Sequence, residues 1–195
     1  MSPITELIGG AKAYGFSLLS GAVGSYEDIA TITVGGGGSS SIVFSSIPQT
    51  FTHLQLRGVS RTSRSSSEDE YRIRFNSNSS GLYTRHALAA YGSGSEMTGF
   101  VNQDHWRAGW TAAANITSGM FGPLVFDILD YTNTNKNTSG RGFVGYEGNT
   151  TGGVVGFVSG LWRATDAVSS IEIAPAFSPF IQHTTFSLYG IKAAA

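Results

Sequence analysis

The sequence predicts an all-β fold, an antiparallel β-sandwich of the jelly-roll kind that carries an N-terminal docking arm. Three observations predict it. Glycine, serine, threonine and proline make up more than a third of the 195 residues, and this composition suits short strands joined by turns. Beyond residue 25, apolar and polar residues alternate in many segments, with turn signals at intervals of about 8–15 residues. No long helical pattern interrupts these segments.

The chain divides by pattern into an arm, residues 1–25, and a β-sandwich domain, residues 26–195. The arm carries large apolar side chains without alternation, and glycines interrupt it too often for a stable helix. We expect it to dock on a partner or on other copies of the chain, with an irregular edge of the domain's own core as the alternative. The expected anchors are Leu7, Ile8, Tyr14 and Phe16.

The first strands of the domain follow from strict alternation. Ala30, Ile32 and Val34 alternate with threonines, a glycine-rich turn follows, and residues 42–44 are apolar, which together predict a hairpin. A polar loop is expected over residues 61–70. The alternating segments around it predict buried side chains at Leu54, Leu56, Tyr71, Ile73 and Phe75.

The remaining strands are expected from shorter apolar segments bounded by turn residues. Residues 87–91 also fit a short turn of helix. We expect at least half of residues 26–192 to lie in strands or tight turns. The expected strands are 83–90, 97–102, 109–116, 123–131, 142–147, 153–162, 170–173 and 185–191.

Composition excludes several classes of function. Charged residues are only 13% of the chain and the formal net charge is −1, so there is no excess of positive charge to hold nucleic acid. The absence of cysteine excludes disulfides and thiolate metal sites. No apolar stretch reaches the roughly 18 residues that predict a membrane span, and the first residues lack the pattern of a signal peptide.

The sequence shows no convergent set of catalytic acid, base and nucleophile residues. Asp104 and His105 could neighbour a metal or act as a general base, but a structural hydrogen-bonded pair is favoured. Asp127 and Asp130 are three positions apart, which places them on opposite faces of a strand. We therefore predict that the protein is not an enzyme and has no catalytic, cofactor-binding or metal-binding residues.

Arginines and tryptophans raise two binding hypotheses. The arginines alternate with Tyr71 and Phe75, so charges and rings lie on opposite faces, which disfavours an RNA-stacking platform and favours subunit contacts or intramolecular pairs. The tryptophans could form a sugar-binding platform, but a place in the core or an interface is favoured. The residues concerned are Arg57, Arg61, Arg64, Arg72, Arg74 and Arg85, and Trp106, Trp110 and Trp162.

Several segments resemble small structural proteins of tailed phages, of the kind found in marine and cyanobacterial phages. They are residues 32–44 (ITVGGGGSSSIVF), 46–58 (SIPQTFTHLQLRG), 74–76 (RFN) with Tyr83 and His86, 170–173 (SIEI) and 186–192 (FSLYGIK). The resemblance covers about residues 26–192. It implies a jelly-roll or related sandwich, often trimeric, attached to the particle by an N-terminal segment, and it supplies no catalytic residues.

We therefore expect a phage virion structural protein, and within that class a capsid decoration (cement) protein that binds the major capsid protein on the outer surface. A tail or fibre component bound to a tail protein is the alternative within the class, and a lectin-like module for host glycans is the alternative outside it. We also expect a homotrimer, because a chain with few charges should bury apolar area between copies. Neither nucleic acid nor a membrane is an expected partner.

Overall fold

The computed structural model describes residues 25–92, 94–148 and 152–192. Within these ranges the chain forms twelve β-strands and no helix, and hence none that could cross a membrane. The strands are β1 Tyr26–Thr33, β2 Ile42–Phe44, β3 His53–Ser60, β4 Glu68–Phe75, β5 Tyr83–Tyr91, β6 Gly94–Gln103, β7 Trp106–Ala112, β8 Gly122–Leu129, β9 Thr138–Glu147, β10 Gly153–Trp162, β11 Ile171–Pro175 and β12 Thr185–Ile191.

These strands form two sheets that enclose one core. The large sheet has eight strands in the order β1-β12-β3-β8-β9-β10-β5-β6, and the small sheet has four in the order β2-β11-β4-β7. Neighbouring strands pair antiparallel throughout. The predicted all-β antiparallel sandwich is therefore confirmed.

Three of the strand pairs are nested as in a jelly roll. Strand β3 pairs with β12 in the large sheet, β4 with β11 in the small sheet, and β5 with β10 in the large sheet again. A long hairpin folded over itself gives such nested pairs that alternate between two sheets. More than half of residues 26–192 lie in these strands, as the sequence predicts.

The core contains the residues that alternation identified. Leu54, Leu56, Tyr71, Ile73 and Phe75 are all fully buried. Burial of a large apolar side chain contributes roughly 1.5–3 kcal/mol to folding, so these positions fix the inner face of β3 and β4.

Aromatic rings fill the space between the two sheets. The ring of Phe75 lies 5.5 Å from that of Trp162 and 6.0 Å from that of Trp106, in edge-to-face geometry. The hydroxyl of Tyr83 accepts a hydrogen bond from the Phe75 backbone N–H at 2.8 Å, so its polar end is satisfied inside the core. Burial raises the pKa of Tyr83, and of Tyr71, to about 12.

The predicted hairpin between residues 30–34 and 42–44 is wrong. Strand β1 pairs with β12 at the edge of the large sheet, whereas β2 pairs with β11 in the small sheet. The glycine-rich segment between them crosses from one sheet to the other, and Ser39 forms a bridge with Phe180 on the way. Alternation identifies which residues lie in strands, but it does not identify the strand with which they pair.

Three local predictions also need correction. Strand β7 ends at Ala112 rather than at residue 116, because the backbone N–H groups of residues 113–115 turn back to bind carbonyls of residues 64–67. The polar loop is shorter than 61–70, since β4 begins at Glu68. Residues 87–91 are strand, because β5 pairs with β10 on one side and β6 on the other.

Candidate interaction surface

Strand β10 is apolar on both of its faces. Val154, Val158 and Trp162 point into the core, while Val155, Phe157 and Leu161 on the alternate positions are exposed. A strand with one solvated face normally alternates between apolar and polar residues, and an almost continuous apolar run is typical of a strand that is covered on both sides. The outer face of the large sheet is therefore a candidate contact surface.

Outward-facing apolar side chains of five neighbouring strands line up across this face, four of them exposed and Val125 half-buried. The register places Val125, Phe143, Phe157, Leu88 and Met97 opposite one another on β8, β9, β10, β5 and β6. We call these five residues the apolar row. Phe143 is 46% exposed, Phe157 59%, Leu88 51% and Met97 82%, and the two phenyl rings pack with centroids 5.0 Å apart.

A polar row runs parallel to the apolar row, and its residues lie two positions away along each strand that the two rows share, on the same face of the sheet. It consists of Gln55, Asp127, Arg141, Ser159 and His86, which pair in succession across β3, β8, β9, β10 and β5. Between the two rows lies an open groove of about 610 Å³, lined by members of both. The groove therefore offers apolar contact along one wall and hydrogen bonds along the other.

Hydrogen bonds fix the polar row towards the β1 edge of the sheet. The amide of Gln55 donates to Asp127 at 2.7 Å, and Nε of Arg141 donates to the other oxygen of that carboxylate at 3.1 Å. The oxygen of Gln55 accepts from the Tyr26 hydroxyl at 2.8 Å and from Nε of Arg57 at 2.6 Å. This half of the outer face is a satisfied polar network, which is typical of the rim of an interface.

Asp104 and His105 form a hydrogen-bonded structural pair, as the sequence predicts. Nδ1 of His105 lies 2.6 Å from a carboxylate oxygen of Asp104, and Arg74 donates to the other oxygen at 2.9 Å. Burial lowers the pKa of His105, despite the opposing effect of Asp104. Partial burial would raise the pKa of Asp104, but the hydrogen bonds from Arg74 and His105 outweigh it and lower that pKa.

The two aspartates have different partners. Asp127 belongs to the polar row. Asp130, just beyond the end of β8, forms an ion pair with Lys136, and its backbone N–H donates to Nδ1 of His53 at 2.9 Å. They do not form a paired acid and base. Among the described residues, no group of three or more histidine, aspartate or glutamate side chains is placed to hold a metal ion.

Several of the clustered arginines make intramolecular contacts. Arg61 is buried and donates to four backbone carbonyls of residues 114–120, and Arg64 stacks on the ring of Phe177. Arg74 pairs with Asp104, and Arg85 lies against Phe100 and Trp110. Burial lowers the pKa of Arg85.

The three tryptophans lie in the core. Trp106 and Trp162 are at most 1% exposed and Trp110 is 4% exposed. The rings therefore form no exposed platform for a sugar, and the placement favoured from the sequence is confirmed.

The proposed anchors Leu7, Ile8, Tyr14 and Phe16 lie outside the described residues, so their role stays a prediction. The sequence pattern places the residues of the apolar row in strands but does not distinguish the inner from the outer face of those strands. A usable signal was present, because the ten residues of Gly153–Trp162 include no charged side chain.

No protein-family model matches the chain, and no curated protein matches it. Among solved structures, the marine PL-14 alginate lyase from Aplysia kurodai shows a likeness over 81% of each chain, with 11% sequence identity and a TM-score of 0.21. A likeness of this size says nothing about the chemistry of the present chain.

Proposed function

We propose that this chain is a structural protein of a phage virion that binds another protein through the outer face of its large sheet. The observation that carries the proposal is the apolar row, which extends unbroken across five strands. Soluble monomers rarely expose a large contiguous apolar patch, and such patches mark interaction sites. The neighbouring polar network supplies the directional contacts that would orient the partner.

Within this class we propose a capsid decoration protein whose partner is the major capsid protein. The resemblance of the sequence to structural proteins of tailed phages supports a place in the virion. The near-neutral formal net charge of −1 suits an outer surface that must not hold the genome. A tail or fibre position would use the same apolar face on a tail protein, and the location of the protein in intact particles distinguishes the two.

A lectin role receives no comparable support. The sequence-based lectin hypothesis relied on exposed tryptophans to bind a sugar, and all three tryptophans are buried. The exposed rings of the apolar row are phenylalanines that pack against each other, an arrangement that suits an apolar protein surface.

The test is co-sedimentation of the purified protein with empty capsids. The double variant Phe143→Ser and Phe157→Ser removes two rings that are about half exposed, and an unchanged circular dichroism spectrum checks that it folds. If a partner covers the exposed half of each ring, about 1 kcal/mol is lost per ring, and affinity should fall roughly thirtyfold.

Val43→Ser provides the matched control, because Val43 is 50% exposed on the small sheet, away from the apolar row. The control should bind capsids like the unaltered protein. Equal binding by the double variant and the control would show that the apolar row is not the docking surface. No binding by any form, with recovery on purified tails instead, would favour the tail assignment.

A further inference from the structure

The two edge strands of the large sheet differ in how they are protected. Strand β1 carries Glu27 and Asp28 and has an irregularity in its pairing between Asp28 and Ala30. Charges and bulges of this kind discourage pairing with another strand. Strand β6 has ten residues, no proline, and Glu96 as its single charged residue.

The outer edge of β6 is regular over residues 94–100. Its pairing with β5 runs without a break from Gly94 to Phe100, and the register shifts only beyond that point. Within the described residues, no strand pairs with its other side. A regular edge with unpaired backbone groups is a template for a further strand.

The apolar row ends at this same edge. Its last member, Met97, is 82% exposed, because a neighbouring strand covers it on one side only. A second strand along β6 would cover Met97 from the other side and continue the row into a second molecule.

We propose that two copies of the chain pair β6 against β6, antiparallel, across a two-fold axis at Met97. The pairing creates a continuous sheet in which the two apolar rows meet end to end. The dimer would present the outer faces of both large sheets side by side to one partner surface. Its role in particle binding rests on the proposed function.

The residues of β6 select this register. With the axis at Met97, the two methionines face each other on the outer side, and Glu96 lies opposite Thr98 on the inner side. An axis at Glu96 would place the two glutamates directly opposite each other, and like charges in that position are destabilising. An axis at Thr98 would place Met97 opposite Gly99 and lose the apolar contact.

A two-fold pairing uses the same surface on both molecules and closes with two copies. It therefore competes with the homotrimer that the sequence led us to expect. The mass of the protein in solution, measured by light scattering at micromolar concentration, decides between them without any capsid present.

Cysteine cross-linking tests the register in the full-length chain, which has no cysteine of its own. Directly opposed residues of an antiparallel pair have Cα atoms about 4.5–5.5 Å apart, within the range that a disulfide spans. Met97→Cys should therefore yield a covalent dimer under mild oxidation. Ser95→Cys is the matched control, since the two copies of residue 95 would lie about 13 Å apart along the edge.

Charge exchange tests the same contact by mass. Met97→Lys and Met97→Glu should each weaken the dimer about a hundredfold when alone, and mixing the two variants should restore the dimer mass. Val43→Lys, an exposed position on the other sheet, should leave the mass unchanged.

A monomer or a trimer for the unaltered protein would overturn the pairing, as would equal cross-linking of Met97→Cys and Ser95→Cys. If the first 24 residues covered the β6 edge within one molecule, the protein would have the mass of a monomer, and this result would also overturn the pairing. Particle binding is measured separately, so a dimer that binds neither capsids nor tails would refute the proposed function and leave the pairing intact.

Discussion

Replacing Arg61 with methionine would test how the segment at residues 114–120 is held against the sandwich. Arg61 as a whole is only 6% exposed. Its Nη1 donates to the carbonyls of Thr117 at 2.6 Å and Met120 at 3.0 Å, and its Nη2 donates to those of Ala114 at 3.1 Å and Ile116 at 2.8 Å. Methionine fills a similar stem volume and donates nothing.

The magnitude follows from these four contacts. A hydrogen bond to a charged group contributes roughly 1.5–3 kcal/mol, but the four share one side chain, and the carbonyls can turn to water when it is removed. Methionine also avoids the cost of burying a charge. We therefore expect a net loss of about 3 kcal/mol in the free energy of unfolding, which lowers Tm by roughly 6–12 °C for a chain of this size.

The assay is urea unfolding followed by circular dichroism, with two comparison variants. Arg61→Lys keeps the charge but cannot reproduce the planar fork, so its stability should be intermediate. Arg163→Met removes an exposed arginine that also donates to a backbone carbonyl, that of Gly81 at 2.9 Å, and should cost less than about 1 kcal/mol. Equal losses for Arg61→Met and Arg163→Met would refute the reasoning.

Two further predictions concern the core. Burial raises the pKa of Tyr71 and Tyr83 from the ordinary 10.0 to about 12, so the stability they confer is present below pH 10 and is lost as pH rises towards about 12. Urea titrations across that window should show the decline, and Tyr83→Phe should make it shallower; an unchanged slope would contradict the assignment. A Cβ at Gly156 would lie 2.7 Å from the ring of Trp110, so Gly156→Ala should cost about 1–3 kcal/mol in the same assay. Gly35→Ala, with no atom within 4 Å of its Cβ, should cost much less, and similar losses for both would refute the close contact.

Alternation predicted the parts of the fold in which one face of a strand is polar. On β4, Arg72 and Arg74 between Tyr71, Ile73 and Phe75 leave a single arrangement that buries the apolar side chains. On β3, Leu54 and Leu56 likewise alternate with polar residues, and their burial follows from that pattern. In these strands the local pattern contains the information that fixes their orientation.

Strand pairing was not predictable in this way, because it depends on residues far apart in the chain. Strand β1 pairs with β12, and hydroxyl contacts such as Thr31 with Ser187 at 2.7 Å link them across 156 positions. A hairpin between β1 and β2 would satisfy the local pattern equally well. The glycine-rich segment between these strands fits a tight turn and a crossing between sheets alike.

The apolar row could not be read from the sequence for a related reason. Phe143 and Phe157 are apolar, so composition alone assigns them to the core. On β10 both faces are apolar, and the local pattern does not determine which of them points inward. A slip of one residue would turn every side chain of this strand to the opposite face.

Glycines on the inner face of the large sheet determine which face of β9 and β10 points into the core. Gly156 faces the ring of Trp110, and Gly142 on β9 faces Phe126, where a Cβ would lie only 2.7 Å from the ring in each case. The next residue along each strand is a phenylalanine, and a slip would place Phe157 or Phe143 where not even one carbon atom fits. The filled core therefore forces both rings to the outside, because the volume inside is already occupied by Trp110 and Phe126. The exposed apolar row is thus a fixed consequence of the core packing, and the hydrophobic effect favours a contact that removes it from water.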